Sequence, residues 1–313
     1  MPKLAVFTSP KPFTDPEIAR IQRNALQSWV ALGDPVEVLV IGDEPGAADA
    51  ACSLGIGFHA NVRRNVQGTP LISSIFATAL AATSAPLLAY ANADILLFQD
   101  LVAASYEVAE ALPEFLLVGR RWDLKVEEDL PTGPGWQDRL RDLAHMRGRL
   151  HPPSGSDYFV FPRGCFQSVP DFAVGRAGWD NWMLFEARRR RWPLIDATER
   201  ITVIHQEHDY RHLPGAQSHY RMPESRENLR LAGGRRTILT LADADWELRE
   251  GGPARRAWSP GRWTRELELI PALRWGSRWL AHVAHAVFHP RKAWGEVSGW
   301  LAYKMGSTTG PGR

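Results

Sequence analysis

The sequence of 313 residues has little cysteine, little net charge and no long apolar run. Its two cysteines, Cys52 and Cys165, lie far apart, which argues against a disulfide framework and a cysteine-ligated zinc site and predicts a cytoplasmic protein. A formal net charge of +2 argues against general binding to nucleic acid. No segment approaches the roughly 20 apolar residues of a membrane span, and the apolar segment at the start is too short for a secretory signal.

Several catalytic motifs are also missing. No G-x-G-x-x-G follows the first predicted strand, and the sequence contains neither G-x-x-x-x-G-K-[ST] nor G-x-S-x-G. Dinucleotide-binding, P-loop and serine-hydrolase functions therefore lose their main support. With 44% hydrophobic and 23% charged residues, the composition is that of an ordinary globular protein.

The first hundred residues alternate between strand and helix patterns. Strands are predicted at "KLAVFTS", "VEVLVIGD", "IGFHANV" and "PLLAYANADILLF", and helices at "TDPEIARIQRNALQSWVALG", "GAADAACSLG" and "PLISSIFATALAATS". Asp15 is a predicted N-cap, Pro16 lies in the first turn of its helix, and Pro70 opens a later helix. This alternation predicts an α/β fold with a mostly parallel sheet covered by helices on both faces. Ligands of such sheets bind at the carboxyl ends of the strands.

Ionisable side chains stand at several of these strand ends. Asn92 and Asp94 interrupt the late part of one apolar strand, and a buried carboxylate needs a cation, a metal or several donors. A later strand, "ITVIH", runs into His205, His208 and His212, three of the chain's ten histidines. Asp94 with His205 and His208 is a candidate site for Mn²⁺ or Mg²⁺. The alternatives are that Asp94 caps a turn and that each histidine is structural.

The stretch "GWDNW" places Asp180 after a glycine-led turn, at a predicted helix start. There the helix dipole would stabilise the ionised carboxylate, which could act as a general base on a hydroxyl. Trp179 and Trp182 offer flat faces of the kind on which sugar rings pack. The alternative is that Asp180 is an ordinary first-turn acid.

Together these segments resemble the GT-A class of nucleotide-sugar glycosyltransferases, and most closely a bacterial group with the motifs "NADI", "GSDYFVFPRG", "GWDNW" and "VIHQEHDY". The resemblance covers roughly the first 240 residues. It implies a GT-A-like, Rossmann-like mixed sheet and a hexosyl- or related transferase. The donor would be a nucleoside diphosphate sugar, used with Mn²⁺ or Mg²⁺ in cell-surface polysaccharide biosynthesis. Asp94 matches the last residue of the Asp-x-Asp motif of the class, whereas Asn92 replaces its first.

The resemblance also implies roles for individual residues. Asp180 would be the base of an inverting reaction, and His205 or His208 a further metal ligand. Arg120 and Arg121 would face the leaving diphosphate, and the nucleotide would contact Thr8, Pro10, Arg23 and Asn92. The remaining candidates would face the sugar or the acceptor: Trp122, Asp123, Asp157, Trp179, Asn181 and Trp182. Two rival functions stay open, namely a metal-dependent phosphoester or nucleotide-sugar hydrolase and a non-catalytic nucleotide-sugar or glycan-binding module.

From residue 258 onward the sequence is rich in tryptophan and basic residues. Six of the 13 tryptophans lie here, and Trp275, Trp279, Val283 and Val287 recur at helical spacing before Pro290. This segment suits either the membrane surface, where a glycan or lipid-linked acceptor would lie, or packing on the catalytic domain or a second subunit. The expected domains are 1–250 (nucleotide-binding half 1–100, acceptor-side half 101–250), a helical extension 251–305 and a disordered tail 306–313.

Overall fold

The computed structural model describes residues 3–131, 133–208, 222–296 and 298. The strands are β1 (Leu4–Thr8), β2 (Val36–Ile41), β3 (Gly57–His59), β4 (Leu87–Ala91), β5 (Ile95–Leu96), β6 (Leu116–Val118), β7 (Trp122–Leu124), β8 (Arg149–Leu150), β9 (Tyr158–Pro162), β10 (Leu194–Asp196), β11 (Ile204–Gln206), β12 (Trp246–Arg249) and β13 (Gly252–Arg255). The α-helices are α1 (Pro16–Val30), α2 (Ala47–Leu54), α3 (Ile72–Ala82), α4 (Gln99–Ala111), α5 (Trp136–Arg147), α6 (Trp179–Arg190), α7 (Pro223–Ala232), α8 (Pro260–Leu273) and α9 (Arg278–Phe288).

Nine of these strands form one sheet in the order β13-β12-β10-β6-β9-β4-β1-β2-β3. The pairs β1/β2, β1/β4, β2/β3, β6/β10 and β10/β12 are parallel, whereas β9 and β13 run antiparallel to their neighbours. A second, four-stranded sheet has the order β5-β11-β7-β8. The predicted α/β fold with a mixed, mostly parallel sheet is confirmed.

Helices cover both faces of the large sheet. Successive residues of a strand point to opposite faces, so neighbouring residues of β1 contact helices on opposite sides. Val6 of β1 lies in a core cluster with Leu26 and Trp29 of α1. Phe7, its neighbour, packs edge-on against Phe76 of α3 with the ring centroids 5.1 Å apart. The strand β1 is therefore buried from both sides, as its apolar sequence predicts.

Local capping follows the sequence at α1 and departs from it at α3. The Oδ1 atom of Asp15 accepts hydrogen bonds from the backbone N–H groups of Glu17 and Ile18, at 2.9 and 3.0 Å. This confirms the predicted N-cap. Pro70 does not open α3, because it pairs with Arg64 in an isolated β-bridge and the helix begins at Ile72.

The predicted strand "PLLAYANADILLF" and a later apolar stretch, residues 114–124, are each divided between the two sheets. The stretch 86–98 forms β4 in the large sheet and β5 in the small one, with a turn in which the backbone N–H of Ile95 donates to the carbonyl of Asn92 at 3.1 Å. The stretch 114–124 is divided in the same way into β6 and β7. The prediction of one continuous strand over 86–98 was wrong, because pairing with β11 draws the second half of each stretch into the small sheet.

The chain divides into two compact units, 1–232 with 238–256, and 233–237 with 257–313. In the second unit, the Ser259 and Ser277 side chains cap the starts of α8 and α9. Trp275 precedes α9, so the predicted helical stripe begins at Trp279 instead. No helix among the described residues is long and apolar enough to cross a membrane. The expected disordered tail 306–313, together with Asp209, His212, Trp300 and Lys304, lies outside the described residues.

Candidate active site

Polar side chains from several segments lie at the end of the large sheet where its central parallel strands terminate. The parallel strands β1 and β4 end there, and Lys11 and Asp94 follow them along the chain. Strand β9 runs the other way and begins opposite the end of β4, where Tyr158 pairs with Ala91. Asp157, the residue before β9, therefore lies at the same end of the sheet, and its backbone carbonyl accepts a hydrogen bond of 2.9 Å from the N–H of Asn92.

The three residues that the sequence suggested as metal ligands lie together. The Oδ2 atom of Asp94 is 3.4 Å from Nε2 of His208 and 3.8 Å from Nε2 of His205. One ligand atom from each residue lies within 4.8 Å of the other two. The antiparallel pairing of β11 with β5 causes this proximity, because it sets His205 opposite Ile95, the residue after Asp94.

This cluster fits a divalent cation. The Oδ1 atom of Asp94 is buried and has no hydrogen-bond partner in the described part of the chain. Nδ1 of His205 lies 3.3 Å from Oδ1 of Asp123, and a carboxylate behind a histidine is a common arrangement in metal sites. One carboxylate and two imidazoles suit Mn²⁺ better than Mg²⁺, which prefers oxygen ligands.

The charges at this site keep Asp94 ionised. Burial raises the pKa of its carboxyl, but the hydrogen bond with His208 and the charges of His205 and Lys11 outweigh burial and hold that pKa well below its usual value. Lys11, which no motif of the sequence singles out, is therefore close enough to act on Asp94. Burial lowers the pKa of its amine, and the charge of Asp94 opposes that effect.

A partly buried cation, Arg121, is connected to the cluster through Asp123, which also contacts His205. Its Nε donates to Oδ1 of Asp123 at 2.9 Å, and its Nη1 bonds to Oδ2 of Asp157. Asp123 is almost fully buried and also contacts Nδ1 of His151 at 2.8 Å and Nη2 of Arg149 at 3.2 Å. Two carboxylates share the Arg121 guanidinium, so its positive charge is already offset within the protein.

Other predicted donor-binding residues have varied surroundings. The Arg120 guanidinium donates to the backbone carbonyl of His151 at 2.6 Å. The Asn92 side chain donates to Asp157 at 2.9 Å and accepts from the hydroxyl of Tyr90 at 3.2 Å. Both side chains are therefore engaged within the protein rather than directed only to a ligand.

At the end of β1 and on α1 lie the three predicted nucleotide contacts. Thr8 and Pro10 are buried, and Oγ1 of Thr8 has no hydrogen-bond partner among the described residues. Arg23 is exposed on α1, and its guanidinium carbon lies 5.8 Å from the centre of the Phe13 ring. The side chain of Gln22 brackets the backbone of Lys11 with two hydrogen bonds, which fixes the loop between β1 and α1.

Asp180 is partly buried in the first turn of α6, directly after the left-handed turn at Gly178 (φ 107°). Its Oδ1 accepts a hydrogen bond of 3.2 Å from the N–H of Gly178. Burial raises the pKa of this carboxyl to about 6, and Asp157 adds to the rise while the backbone hydrogen bonds oppose it. The expected stabilisation of the ionised form by the helix start is present, but burial outweighs it.

Three carboxylates act on one phenol at this end of the sheet. Burial first, and then the charges of Asp94, Asp157 and Asp180, raise the pKa of Tyr90 above its usual value. Asp94, a candidate for the donor side, and Asp180, the candidate base, therefore both lie close enough to affect the Tyr90 hydroxyl.

The tryptophans expected to stack on a sugar lie in the protein core. Trp179 is 4% exposed and packs edge-on against Tyr90 at a centroid distance of 5.0 Å. Trp182 is 7% exposed and lies 5.3 Å from Phe172. Their burial corrects the expectation of a stacking platform, because both rings pack against aromatic side chains of the core and are almost closed to solvent.

The two remaining acceptor-side candidates are also held by the protein. Trp122 contacts the His145 ring at 4.9 Å and packs against the core beneath the small sheet. The Asn181 side chain donates to the backbone carbonyl of Leu239 at 2.7 Å.

No protein-family profile matches the chain, and no curated protein sequence matches it. Solved structures do match. Glucosyl-3-phosphoglycerate synthase of M. tuberculosis aligns with a TM-score of 0.46 and 17% identity, over 74% of this chain and 81% of that chain. A mannosyltransferase from Pyrobaculum calidifontis, in complex with GDP-Man and Mn²⁺, aligns with a TM-score of 0.46 and 14% identity, over 96% of this chain and 81% of that chain. The M. tuberculosis synthase with Mn²⁺, UDP-Glc and phosphoglyceric acid gives a TM-score of 0.44 at 17% identity, over 74% and 80%.

Proposed function

We propose that this chain is a GT-A-like glycosyltransferase that moves a sugar from a nucleoside diphosphate sugar to an acceptor hydroxyl. One observation carries the proposal: Asp94, His205 and His208 lie together near the end of β4, and a buried oxygen of Asp94 has no hydrogen-bond partner in the described chain. The motif resemblance supplies the reaction class.

The donor side of the site is cationic in this proposal. Asp94, His205 and His208 would hold Mn²⁺ or Mg²⁺, which when bound offsets the charge that develops on the departing diphosphate. Lys11 provides a second positive charge close to Asp94. We assign to Lys11 the diphosphate contact first expected of Arg120 and Arg121, because those two guanidinium groups are engaged by backbone carbonyls and carboxylates.

The nucleotide would lie where β1 ends. Thr8 offers a buried hydroxyl oxygen that has no hydrogen-bond partner among the residues the structure describes, Pro10 offers a rigid wall, and Arg23 an exposed guanidinium beside Phe13. Asn92 would act on the donor indirectly, by orienting Asp157.

Asp180 would be the base that activates the acceptor. A carboxyl with a pKa of about 6 is largely ionised at neutral pH, yet it is more basic than an exposed aspartate. As the acceptor oxygen forms its bond to the anomeric carbon, its proton passes to Asp180 and the bond to the diphosphate breaks. A single displacement of this kind inverts the anomeric configuration.

A thermal-shift screen with UDP, GDP, CDP and dTDP, each with and without Mn²⁺, tests the donor site. At least one nucleotide should raise Tm, and more so with Mn²⁺, because a ligand that binds only the native state stabilises it. Asp94→Asn should remove the Mn²⁺-dependent part, whereas Asp49→Asn, at an exposed residue of α2, should retain it. A chain that shows no shift with any of the four would overturn the proposal.

Incubation with a sugar donor distinguishes transfer from hydrolysis. Asp180→Asn should keep the nucleotide-induced shift and lose about 10² to 10⁴ in turnover with an acceptor. Rapid donor hydrolysis that no acceptor suppresses would favour the metal-dependent hydrolase instead. Nucleotide binding without turnover of any donor would favour the binding module.

The second unit supports a further part of the proposal, contact with a membrane surface. Five of its tryptophans are more than half exposed: Trp258, Trp263, Trp275, Trp279 and Trp294. Exposed basic residues lie among them in sequence, at Arg274, Arg278, Arg291 and Lys292. Exposed tryptophan with basic residues matches an anionic bilayer, and we propose attachment to the cytoplasmic face of the membrane, near a lipid-linked acceptor.

Vesicle co-sedimentation tests this attachment. The protein should bind phosphatidylglycerol vesicles, bind neutral phosphatidylcholine vesicles weakly, and lose binding in Trp275→Ala/Trp279→Ala. The partly buried Trp122→Ala offers a control outside the second unit. Equal binding by the double variant, or a concentration-dependent dimer that this variant dissolves, would contradict membrane contact and favour packing between copies.

A further inference from the structure

The second unit contains a cluster that the proposed transfer reaction does not use. Helix α8 supplies Glu268, helix α9 supplies His285, and His289 follows the end of α9. The two helices pack against each other across the short turn 274–277. Because His285 and His289 are four residues apart, both project from the same side of this segment toward α8.

The three side chains meet at one carboxylate. Oε1 of Glu268 lies 2.9 Å from Nδ1 of His285, and its Oε2 lies 3.1 Å from Nε2 of His289. One ligand atom from each residue lies within 4.8 Å of the other two. Glu268 and His285 are buried, whereas the His289 side chain is 37% exposed. The cluster is therefore closed on the protein side and reachable from the side of His289.

The cluster already contains a cation that balances the buried carboxylate. Nη1 of Arg265, one turn before Glu268 on α8, lies 2.8 Å from Oε2 of Glu268. The Arg265 side chain is 37% exposed, compared with 5% for Glu268. An ion that enters the cluster therefore competes with this guanidinium for the Glu268 carboxylate.

We propose that Glu268, His285 and His289 form a second metal site, which binds Zn²⁺ with water in the fourth position. Two imidazoles and one carboxylate are a recurrent three-ligand set for zinc. Zinc lies about 2.0 to 2.2 Å from such atoms, so ligand atoms that are now 2.9 to 4.8 Å apart need only small rearrangements to surround it. The bound ion would join α8 to α9.

Proton positions limit the affinity of this site. Zinc at Nδ1 of His285 leaves the imidazole proton on Nε2, a buried atom without a hydrogen-bond partner among the described residues. Zinc at Nε2 of His289 leaves that proton on Nδ1. The buried N–H of His285 would then lack an acceptor, which is unfavourable. The N–H of His289 can bond to water, because this side chain is half-exposed. We therefore expect moderate, saturable binding rather than a permanently bound ion.

Metal titration of the full chain tests the site. The experiment uses the His205→Ala background, so that the cluster around Asp94 does not contribute. Saturable Zn²⁺ binding by calorimetry, a rise in Tm, and the visible absorption of tetrahedral Co²⁺ are expected. His289→Ala should weaken Zn²⁺ binding by about tenfold or more, whereas His282→Ala, on the exposed side of α9, should not.

A second variant separates a metal site from a charge cluster that only joins two helices. Arg265→Gln removes the competing cation, so Zn²⁺ should bind more tightly even though the metal-free protein becomes less stable. The proposal is overturned if the His205→Ala protein shows no saturable Zn²⁺ binding, or if His289→Ala leaves that binding unchanged. Because the Asp94 site is disabled throughout, either outcome leaves the transferase proposal untouched.

Discussion

Replacement of Asp180 by asparagine should change how the stability of the protein depends on pH. The asparagine Oδ1 can still accept the hydrogen bond of 3.2 Å from the Gly178 N–H, so the local turn is preserved. The substitution removes the ionisation of the side chain and exchanges one carboxylate oxygen for an amide nitrogen, a change that does not vary with pH. The effect of that ionisation on folding can therefore be measured on its own.

The size of the effect follows from the pKa of the carboxyl. Burial raises this pKa from 3.8 to about 6. Between these values the folded chain holds a proton that the unfolded chain has lost, so the free energy of unfolding falls as pH rises. The total loss is roughly 3 kcal/mol, complete above about pH 6. Below about pH 4 the contribution is absent, because both states are protonated.

Urea denaturation followed by tryptophan fluorescence at a series of pH values from 4 to 8 measures this difference. Asp180→Asn should gain stability relative to wild type as pH rises to about 6 and keep a constant advantage above it. Asp49→Asn, at an exposed first-turn acid of α2, is the matched control and should run parallel to wild type. Parallel curves for Asp180→Asn as well would refute the burial argument.

Two further variants test the charges around the site. Arg121→Met should lower the free energy of unfolding by about 3 to 5 kcal/mol, because it leaves the buried Asp123 and Asp157 carboxylates without their cation. The control is Arg149→Met, at an arginine that is 71% exposed, and it should lower that free energy by less than about 1 kcal/mol. Urea denaturation measures both. Lys11→Met should weaken calorimetric binding of nucleoside diphosphates by about tenfold or more and tighten Mn²⁺ binding in their absence, because the Asp94 charge is no longer offset; an unchanged diphosphate affinity would remove Lys11 from the donor site.

The sequence was sufficient for the types of element and for some local details. Strand and helix patterns arise from the spacing of apolar residues along a short segment, which is why the order of elements and the N-cap at Asp15 could be predicted. Asp94, His205 and His208 could be suggested as metal ligands because carboxylate and imidazole groups come late in apolar strand patterns, where ligands of α/β sheets bind. The contact between them depends on the antiparallel pairing of β11 with β5, which the sequence did not predict.

Only the tertiary structure decided which of these side chains are available to a ligand. Trp179 and Trp182 are residues of the type on which sugars stack, but the folded chain buries both rings. Their burial cannot be read from the sequence alone. The guanidinium of Arg121 is shared by two carboxylates that are 2 and 36 positions away along the chain. Lys11 stands in a loop without any motif, and only the fold brings it near Asp94.

The same distinction applies to the second unit. The sequence predicted an apolar stripe on one helix, from Trp275 to Val287, because that pattern is local. The cluster of Glu268, His285 and His289 depends instead on how α8 and α9 pack, since 17 and 21 positions separate its members along the chain. The spacing of side chains within one helix or strand follows from the local sequence. The distance between charges on different elements is fixed only when those elements pack together in the core.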